Sequence, residues 1–258
     1  MKNESINSQN PYVKKSYAWY MVLLMTMAYM FSFIDRYILG LLIDPIKADL
    51  GLSDTQMGLL LGPAFAIFYA TMGLPLGYLA DRVKRVSIVS IGIFIWSLAT
   101  VASGFAQKFS HLFLARMTVG IGEATLSPCA LSMITDSFPE KNRGKPIGFY
   151  TMGMSFGPAI AYLSGAAVLF WSQSIDSIQI PLIGDIAPWQ LAFIVVGFPG
   201  MLLAIFVYFL KEPPRKEDPN LENKEKPTIV EALKYFYSKA GAMCSFILPA
   251  CVMTVIAY

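Results

Sequence analysis

Six stretches of this 258-residue chain, roughly 17–42, 57–80, 86–106, 110–135, 145–171 and 189–210, are each apolar over more than 20 residues. A helix needs about 20 apolar residues to cross a hydrocarbon layer of about 30 Å. In lipid, where no water can satisfy a backbone, such a segment has to be helical. The pattern predicts an all-α membrane protein. It argues against an ordinary soluble enzyme, since only 14% of residues are charged and 55% are hydrophobic, where soluble domains carry about 25% charged residues. The first stretch is too long for the apolar region of a cleaved signal peptide, and no small-residue cleavage site follows it. Cys129, Cys244 and Cys251 all lie in apolar runs, so no disulfide framework is expected. A net charge of +3 gives no footing for a nucleic-acid partner.

The distribution of the charge carries more than its sum. Sixteen of the twenty Lys and Arg residues fall in the N-terminal tail, the 2–3 loop, the 4–5 loop and the stretch after span six. The opposite loops hold only Lys47 and Lys108, and Arg36 and Arg116 lie within spans. The positive-inside rule then puts the N-terminus and the even-numbered loops in the cytoplasm. Four regions follow: a cytoplasmic tail (1–16), a six-span bundle (17–210), a cytoplasmic linker (211–239) and the start of a seventh span (240–258). The linker is proline-rich and of mixed charge at 211–227. After it, Thr228 and Glu231 form a capping-box pattern, and Ile229, Val230, Leu233, Phe236 and Tyr237 recur at helical spacing. This reads as a short amphipathic helix on the membrane face, or as the first turns of a longer seventh span. The seventh apolar run begins near Ala240 and is still running at Tyr258, as expected of the front part of a longer protein.

Charges inside spans need a reason, because each costs roughly 2.5–3.5 kcal/mol at mid-bilayer. Asp35 and Arg36 lie in span one, Arg116 and Glu123 in span four. Arg116 and Glu123 are seven apart and share a helix face, about 10 Å apart along the axis. With span one running outward and span four inward, Asp35 and Arg116 fall at similar depth and Glu123 deeper. The expected arrangement is a cavity lined by carboxylates at two levels with the Arg116 guanidinium between them. Arg36 is free to join it or to snorkel outward. A carboxylate beside a movable cation titrates as its partner comes and goes. The cluster therefore reads as a proton relay or ion-coupling site, against the plainer reading of a static bridge between spans.

Between spans two and three stands Gly77-Tyr-Leu-Ala-Asp81-Arg82-Val-Lys-Arg85. It resembles the loop signature of the major facilitator superfamily, Gly-x-x-x-Asp-Arg-x-Gly-Arg-Arg, with Lys84 in place of the glycine and Val86 in place of the last arginine. Here Gly77 would let helices approach, and Asp81 could cap span three. In the family this loop latches the cytoplasmic side, against a helix of the second half. Three further stretches are similar to the bacterial branch of spinster-like major facilitator transporters. They are Phe31-Ser-Phe-Ile-Asp35-Arg36 with the 44–58 segment behind it, Arg116-Met-Thr-Val-Gly120-Ile-Gly122-Glu123-Ala with Asp136, Pro139 and Arg143, and Lys211-Glu-Pro-Pro-Arg215. The resemblance implies a twelve-helix, two-half fold of which this chain is the N-terminal six-helix bundle. It also implies proton coupling at Asp35, Arg116 and Glu123. In span five, Gly153-x-x-x-Gly157-Pro158 resembles the glycine-proline motif of superfamily exporters. Ala161-Tyr162 stands where the family has a glycine pair, and a small-residue packing face fits the same residues.

An enzyme is not expected. Gly120-Ile-Gly-Glu123 superficially resembles an intramembrane aspartyl protease motif, but the second catalytic Asp would have to follow a Tyr, and Asp35 follows Ile34. No phosphate-binding loop is present. His111 reads as a solvated residue of the outer 3–4 turn. No cofactor and no metal site are expected. A non-transporting sensor would have no use for charges at two depths. The expectation is a proton-coupled secondary transporter of a bacterial inner membrane, working by alternating access, with protons, membrane lipid and a small molecule as partners and its C-terminal half in the same full-length chain. By the resemblance the substrate is amphipathic or lipid-like; the alternatives are a transporter of small organic (aromatic) anions and a non-transporting half-length membrane protein. Tyr29, Phe33, Phe65, Tyr69 and Tyr150 lie near cavity depth and would suit an apolar body.

Overall fold

The computed structural model describes residues 14–172, 178–180 and 184–215, together with Glu231, Lys234, Ser238, Lys239 and Gly241. The chain divides into two compact units, Met1–Arg215 and Lys216–Tyr258. Of the second unit, Glu231, Lys234 and Ser238 are helical. The rest of the expected amphipathic helix, most of the linker and, apart from the helical Gly241, the seventh apolar run lie outside the described residues.

In the first unit the helices are α1 (Lys15–Leu41), α2 (Ile43–Leu50), α3 (Asp54–Leu61), α4 (Pro63–Ala80), α5 (Arg85–Ser103), α6 (Phe109–Glu123), α7 (Leu126–Ser137), α8 (Gly144–Thr151), α9 (Gly153–Ser172) and α10 (Pro188–Tyr208). Five helical stretches are long and apolar enough to cross a membrane: Lys15–Leu41, Asp54–Ala80, Arg85–Ser103, Phe109–Ser137 and Pro188–Tyr208. The 20 residues of α9 supply the length for the sixth crossing that the hydropathy pattern predicts. One feature of the described residues is not helical. Ile178–Ile180 and Gly184–Ile186 pair antiparallel, Ile178 opposite Ile186, between spans five and six.

Three of the six expected spans are broken helices, and local chemistry says why for two of them. Span two starts early, at Asp54, because Ser53 and Gln56 close a capping box. It then breaks at Gly62, where Pro63 brings no N–H for the preceding turn and serves instead as the first residue of α4. Span four breaks at Ala124–Thr125, four and three residues before Pro128, and the Thr125 hydroxyl turns back onto the Gly122 carbonyl at 2.8 Å. Span five breaks at Met152, between α8 and α9. Past the end of α1, Gly51 closes α2 with φ +63°, a conformation few other residues accept. Beside it Lys47 donates to Asp54, and that bond holds the Lys47 ammonium above its ordinary pKa.

Two apolar cores stack along the bundle. One gathers Met21, Met25, Ala28, Ile93, Trp96, Val119, Met133 and Leu203. The other, toward the end of the bundle where α1 finishes, gathers Ile38, Leu42, Ile46, Leu60, Leu112, Trp189 and Phe193. Residues 28–38 of α1 and 112–119 of α6 pass from one core to the other, and α5 leads from Ala99 in the first to Ala106, just past its end, in the second. The buried Asp35, Thr100 and Arg116 sit in that gap.

Candidate functional site

Asp35 and Arg36 are successive residues of α1, so their side chains leave the helix about 100° apart. Asp35 turns into the bundle. Its Oδ1 accepts a hydrogen bond from Thr100 Oγ1 of α5 at 2.6 Å, and its Oδ2 accepts from Arg116 Nη1 of α6 at 3.1 Å. Arg116 also reaches the Asp35 backbone carbonyl at 3.5 Å. Arg36 turns the other way, and its Nε and Nη2 both donate to Glu123 Oε2, at 2.8 and 2.6 Å. Ser32, one turn earlier on the same face, donates to that oxygen as well, at 2.8 Å. The Glu123 side chain is fully enclosed, whereas 26% of the Arg36 side chain stays exposed.

The geometry revises the depth argument in two respects. The charges form two separate ion pairs rather than two carboxylates sharing the Arg116 guanidinium. Arg36 does not snorkel outward, because a helical side chain leans back toward its own N-terminus, and here that direction leads to Glu123. Arg116 and Glu123, two turns apart on one helix, thus serve two successive residues of α1. Arg116 Nε and Glu123 Oε1 are buried without a hydrogen-bond partner among the described residues. Each pair keeps one unused polar atom, a donor on one side and an acceptor on the other.

The Arg36 guanidinium lies over three rings, 5.0 Å from the Phe33 centroid, 4.7 Å from Phe65 and 5.0 Å from Tyr69. Tyr29 stacks on Tyr150 at 4.6 Å and meets Phe33 edge-on at 5.0 Å. Phe65 and Tyr69 stack at 5.3 Å. All five aromatic residues singled out from the sequence belong to this one wall around the Arg36–Glu123 pair. Tyr29/Phe33 and Phe65/Tyr69 are both spaced i, i+4, which is the signal that each pair shares a helix face.

The Gly120-Ile-Gly122-Glu123 run works as a three-way junction. A Cβ on Gly120 would stand 2.6 Å from the Phe65 carbonyl oxygen of α4. One on Gly122 would stand 2.9 Å from both the Gly92 carbonyl oxygen and Trp96 Cβ of α5. Gly120 therefore seats α4, Gly122 seats α5, and Glu123, another 100° around, meets α1. The run's resemblance to a family motif was readable in the sequence, but which helix each glycine faces was not. Ser32 and Thr100 were missed as partners. Their only signal is that each is a hydroxyl inside an apolar run.

The loop motif is held by other parts of the same unit. Arg85 is 2% exposed and donates to Asp136 at the end of α7, to Ser132 Oγ at 2.7 Å, to Glu212 at 2.7 Å and to the Pro213 carbonyl at 2.9 Å. Arg82 lies over the Tyr78 ring at 4.2 Å. Asp81 ends α4 and offers its backbone carbonyl to Arg215. Glu212 caps the start of span three, its Oε2 accepting the Val86 N–H at 2.9 Å. The Ala80 and Val83 carbonyls accept Arg215 Nη2 at 2.7 and 2.5 Å, which satisfies acceptors that the end of α4 leaves free. The five residues Lys211–Arg215 thus cap both helices that flank the loop. At Gly77 a Cβ would meet nothing within 4 Å among the described residues. His111 is exposed but lies in the first turn of α6, where its Nδ1 accepts the Gln107 N–H at 3.4 Å.

Gly153, Gly157 and Pro158 fall on α9. Cβ atoms on the two glycines would stand 2.9 Å from the Thr26 carbonyl oxygen and 2.5 Å from Phe33 Cβ. These are notches that let α9 lie against α1, the packing geometry that small residues permit in lipid.

This geometry gives independent meaning to the comparisons with known proteins. The family model for the Major Facilitator Superfamily matches residues 25–258. A solved bacterial homologue of the human lysosomal transporter Spinster, in an inward-facing and unoccupied conformation, superposes with TM-score 0.74 at 38% identity, over 89% of this chain and 50% of that one. The probable L-galactonate transporter of Escherichia coli K12 is 33% identical over 73% of this chain and 38% of its own length. Protein spinster homolog 1 of Xenopus tropicalis is also 33% identical, over 78% of this chain and 37% of its own length. The chain spans half the length of these relatives or less. It is an integral membrane protein of helical spans arranged as the N-terminal half of that fold, and it belongs to the major facilitator superfamily.

Proposed function

We infer that the full-length protein is a proton-coupled secondary transporter working by alternating access, with Asp35, Arg36, Arg116 and Glu123 as its coupling site. The observation that carries this is the Arg36–Glu123 pair, whose carboxylate is enclosed while its guanidinium stays partly open among three rings. A proton on Glu123 cancels the attraction that holds Arg36 and frees a cation at the edge of the cavity. An anionic substrate group can then take the place of the carboxylate, while the aromatic wall accepts the rest of the molecule. Asp35, sealed beside Arg116 and Thr100, makes a second proton site whose partner is free to move. The charge distribution supports an N-terminus in the cytoplasm, and the likeness to a bacterial homologue supports a bacterial inner membrane.

The substrate that fits is an amphipathic organic anion, its charged end on Arg36 and its apolar body along Tyr29, Phe33, Phe65 and Tyr69. A second reading, a small sugar acid, is favoured by the likeness to the L-galactonate transporter. Uptake by proteoliposomes carrying the full-length protein under an imposed proton gradient tests both. A lysophospholipid and galactonate are offered side by side, and whichever is carried decides the class. Asp35→Asn and Glu123→Gln should each abolish gradient-driven accumulation. Full pH-driven uptake in both variants would remove the coupling assignment.

A further inference from the structure

α5 and α10 run antiparallel and lie close, because Gly197 and Gly200 of α10 face Ser97 of α5 at distances no side chain would allow. An apolar groove of about 280 Å³ opens toward the end where α5 begins and α10 finishes, lined by Ile91 and Phe94 on one side and Ala204, Ile205, Tyr208 and Phe209 on the other. Its depth matches one leaflet: Phe94 is ten residues above Lys84, about 15 Å, half of a hydrocarbon layer of about 30 Å. Tyr208 and Phe209, 62% and 76% exposed, stand at its mouth, where interfacial aromatic residues belong.

Two cations flank the mouth. Lys84 precedes α5 and Lys211 follows α10, and both are exposed. Neither enters an ion pair among the described residues. They are held to one place by the junction between them, in which Val86 N–H and Arg85 both donate to Glu212. Lys84 stands where the family has a glycine and Val86 where it has its last arginine, so the loop keeps the motif's charge but carries it two residues earlier, before α5 begins. The groove lies away from the opening of the coupling site. α5 is on the Asp35 side of α1, through Thr100, whereas Arg36 opens toward the rings of α4.

We propose that this groove and its two lysines form a binding site for an anionic phospholipid, with the phosphate between Lys84 and Lys211 and one acyl chain along Ile91, Phe94 and Ile205. Lipid covers any apolar surface of a spanning bundle. The specific claim is the preference for a negatively charged headgroup at this place, and it does not depend on what the protein transports.

Native mass spectrometry of the full-length protein titrated with phosphatidylglycerol and with phosphatidylcholine tests the site. Wild type should retain phosphatidylglycerol the more tightly, and Lys84→Gln with Lys211→Gln should weaken its binding roughly 30-fold, about fivefold for each lysine, leaving phosphatidylcholine unchanged. Lys141→Gln with Lys145→Gln removes two exposed lysines elsewhere on the same side and should leave the preference intact. Equal retention of the two lipids by wild type overturns the proposal. So does an undiminished preference in the first variant, or an equal loss in the second, which would assign the effect to the general charge of that side.

Discussion

At the residue scale, the decisive fact is that neither intramembrane carboxylate is left without a cation. Removing one partner of a buried pair strands the other, at a cost of about 3–5 kcal/mol. Arg36→Gln should therefore lower the unfolding temperature markedly by leaving Glu123 enclosed and charged. Adding Glu123→Gln should restore most of the loss, since two neutral amides can share the Ser32 hydroxyl. Thermal unfolding of the four proteins of this cycle measures the coupling, and strictly additive shifts would mean that the two side chains do not depend on each other. A parallel cycle with Asp35→Asn and Arg116→Gln should behave in the same way, because that pair is at least as deeply enclosed.

At the element scale, the helices are placed by small residues at particular crossings. Gly122→Ala and Gly157→Ala put a methyl group where backbone or Cβ atoms already stand. Each should cost about 1–3 kcal/mol as an overpacked contact. Gly77→Ala meets open space in this half and should leave thermal stability unchanged or slightly raised, since alanine favours a helix by up to about 1 kcal/mol over glycine. A Gly77→Ala variant destabilised as much as Gly157→Ala would show that Gly77 is a packing contact. The breaks in spans two and four belong to this scale as well. Pro63 and Pro128 were visible in the sequence, yet a hydropathy window averages over a single missing N–H and reports one continuous span.

At the scale of the whole unit, Arg85 ties together parts of the chain that are far apart in sequence. It joins the start of α5 to the end of α7 and to the segment after α10, 127 residues away. Arg85→Gln should release Lys211–Arg215 from the loop. The expected sign is faster amide hydrogen exchange in that segment and in the last turn of α4, with little change in α1. Unaltered exchange at 211–215 would show that Glu212 and Arg215 hold the segment without it. The Asp81→Asn variant tests the loop's conformational role. It should shift the balance between outward- and inward-facing states in distance measurements on the full-length protein, and an unshifted balance would argue against a latch.

By itself the sequence determined that the protein is a helical membrane protein, where its spans lie and which charged residues are out of place in lipid. Those conclusions rest on hydropathy, helix length and the cost of burying charge, which depend only on residues near one another in the chain. Family membership was legible for the same reason, in short runs such as Arg116–Glu123 and Gly77–Arg85. Only the tertiary structure decided that Asp35 takes Arg116 while Arg36 takes Glu123, that Gly120 and Gly122 face different helices, and that Glu212 caps α5. Pairings of this kind turn on the rotation of each helix about its own axis, which is set when all the helices pack at once. One residue along α1 is 100° around it, and that rotation separates the sealed ion pair from the open one.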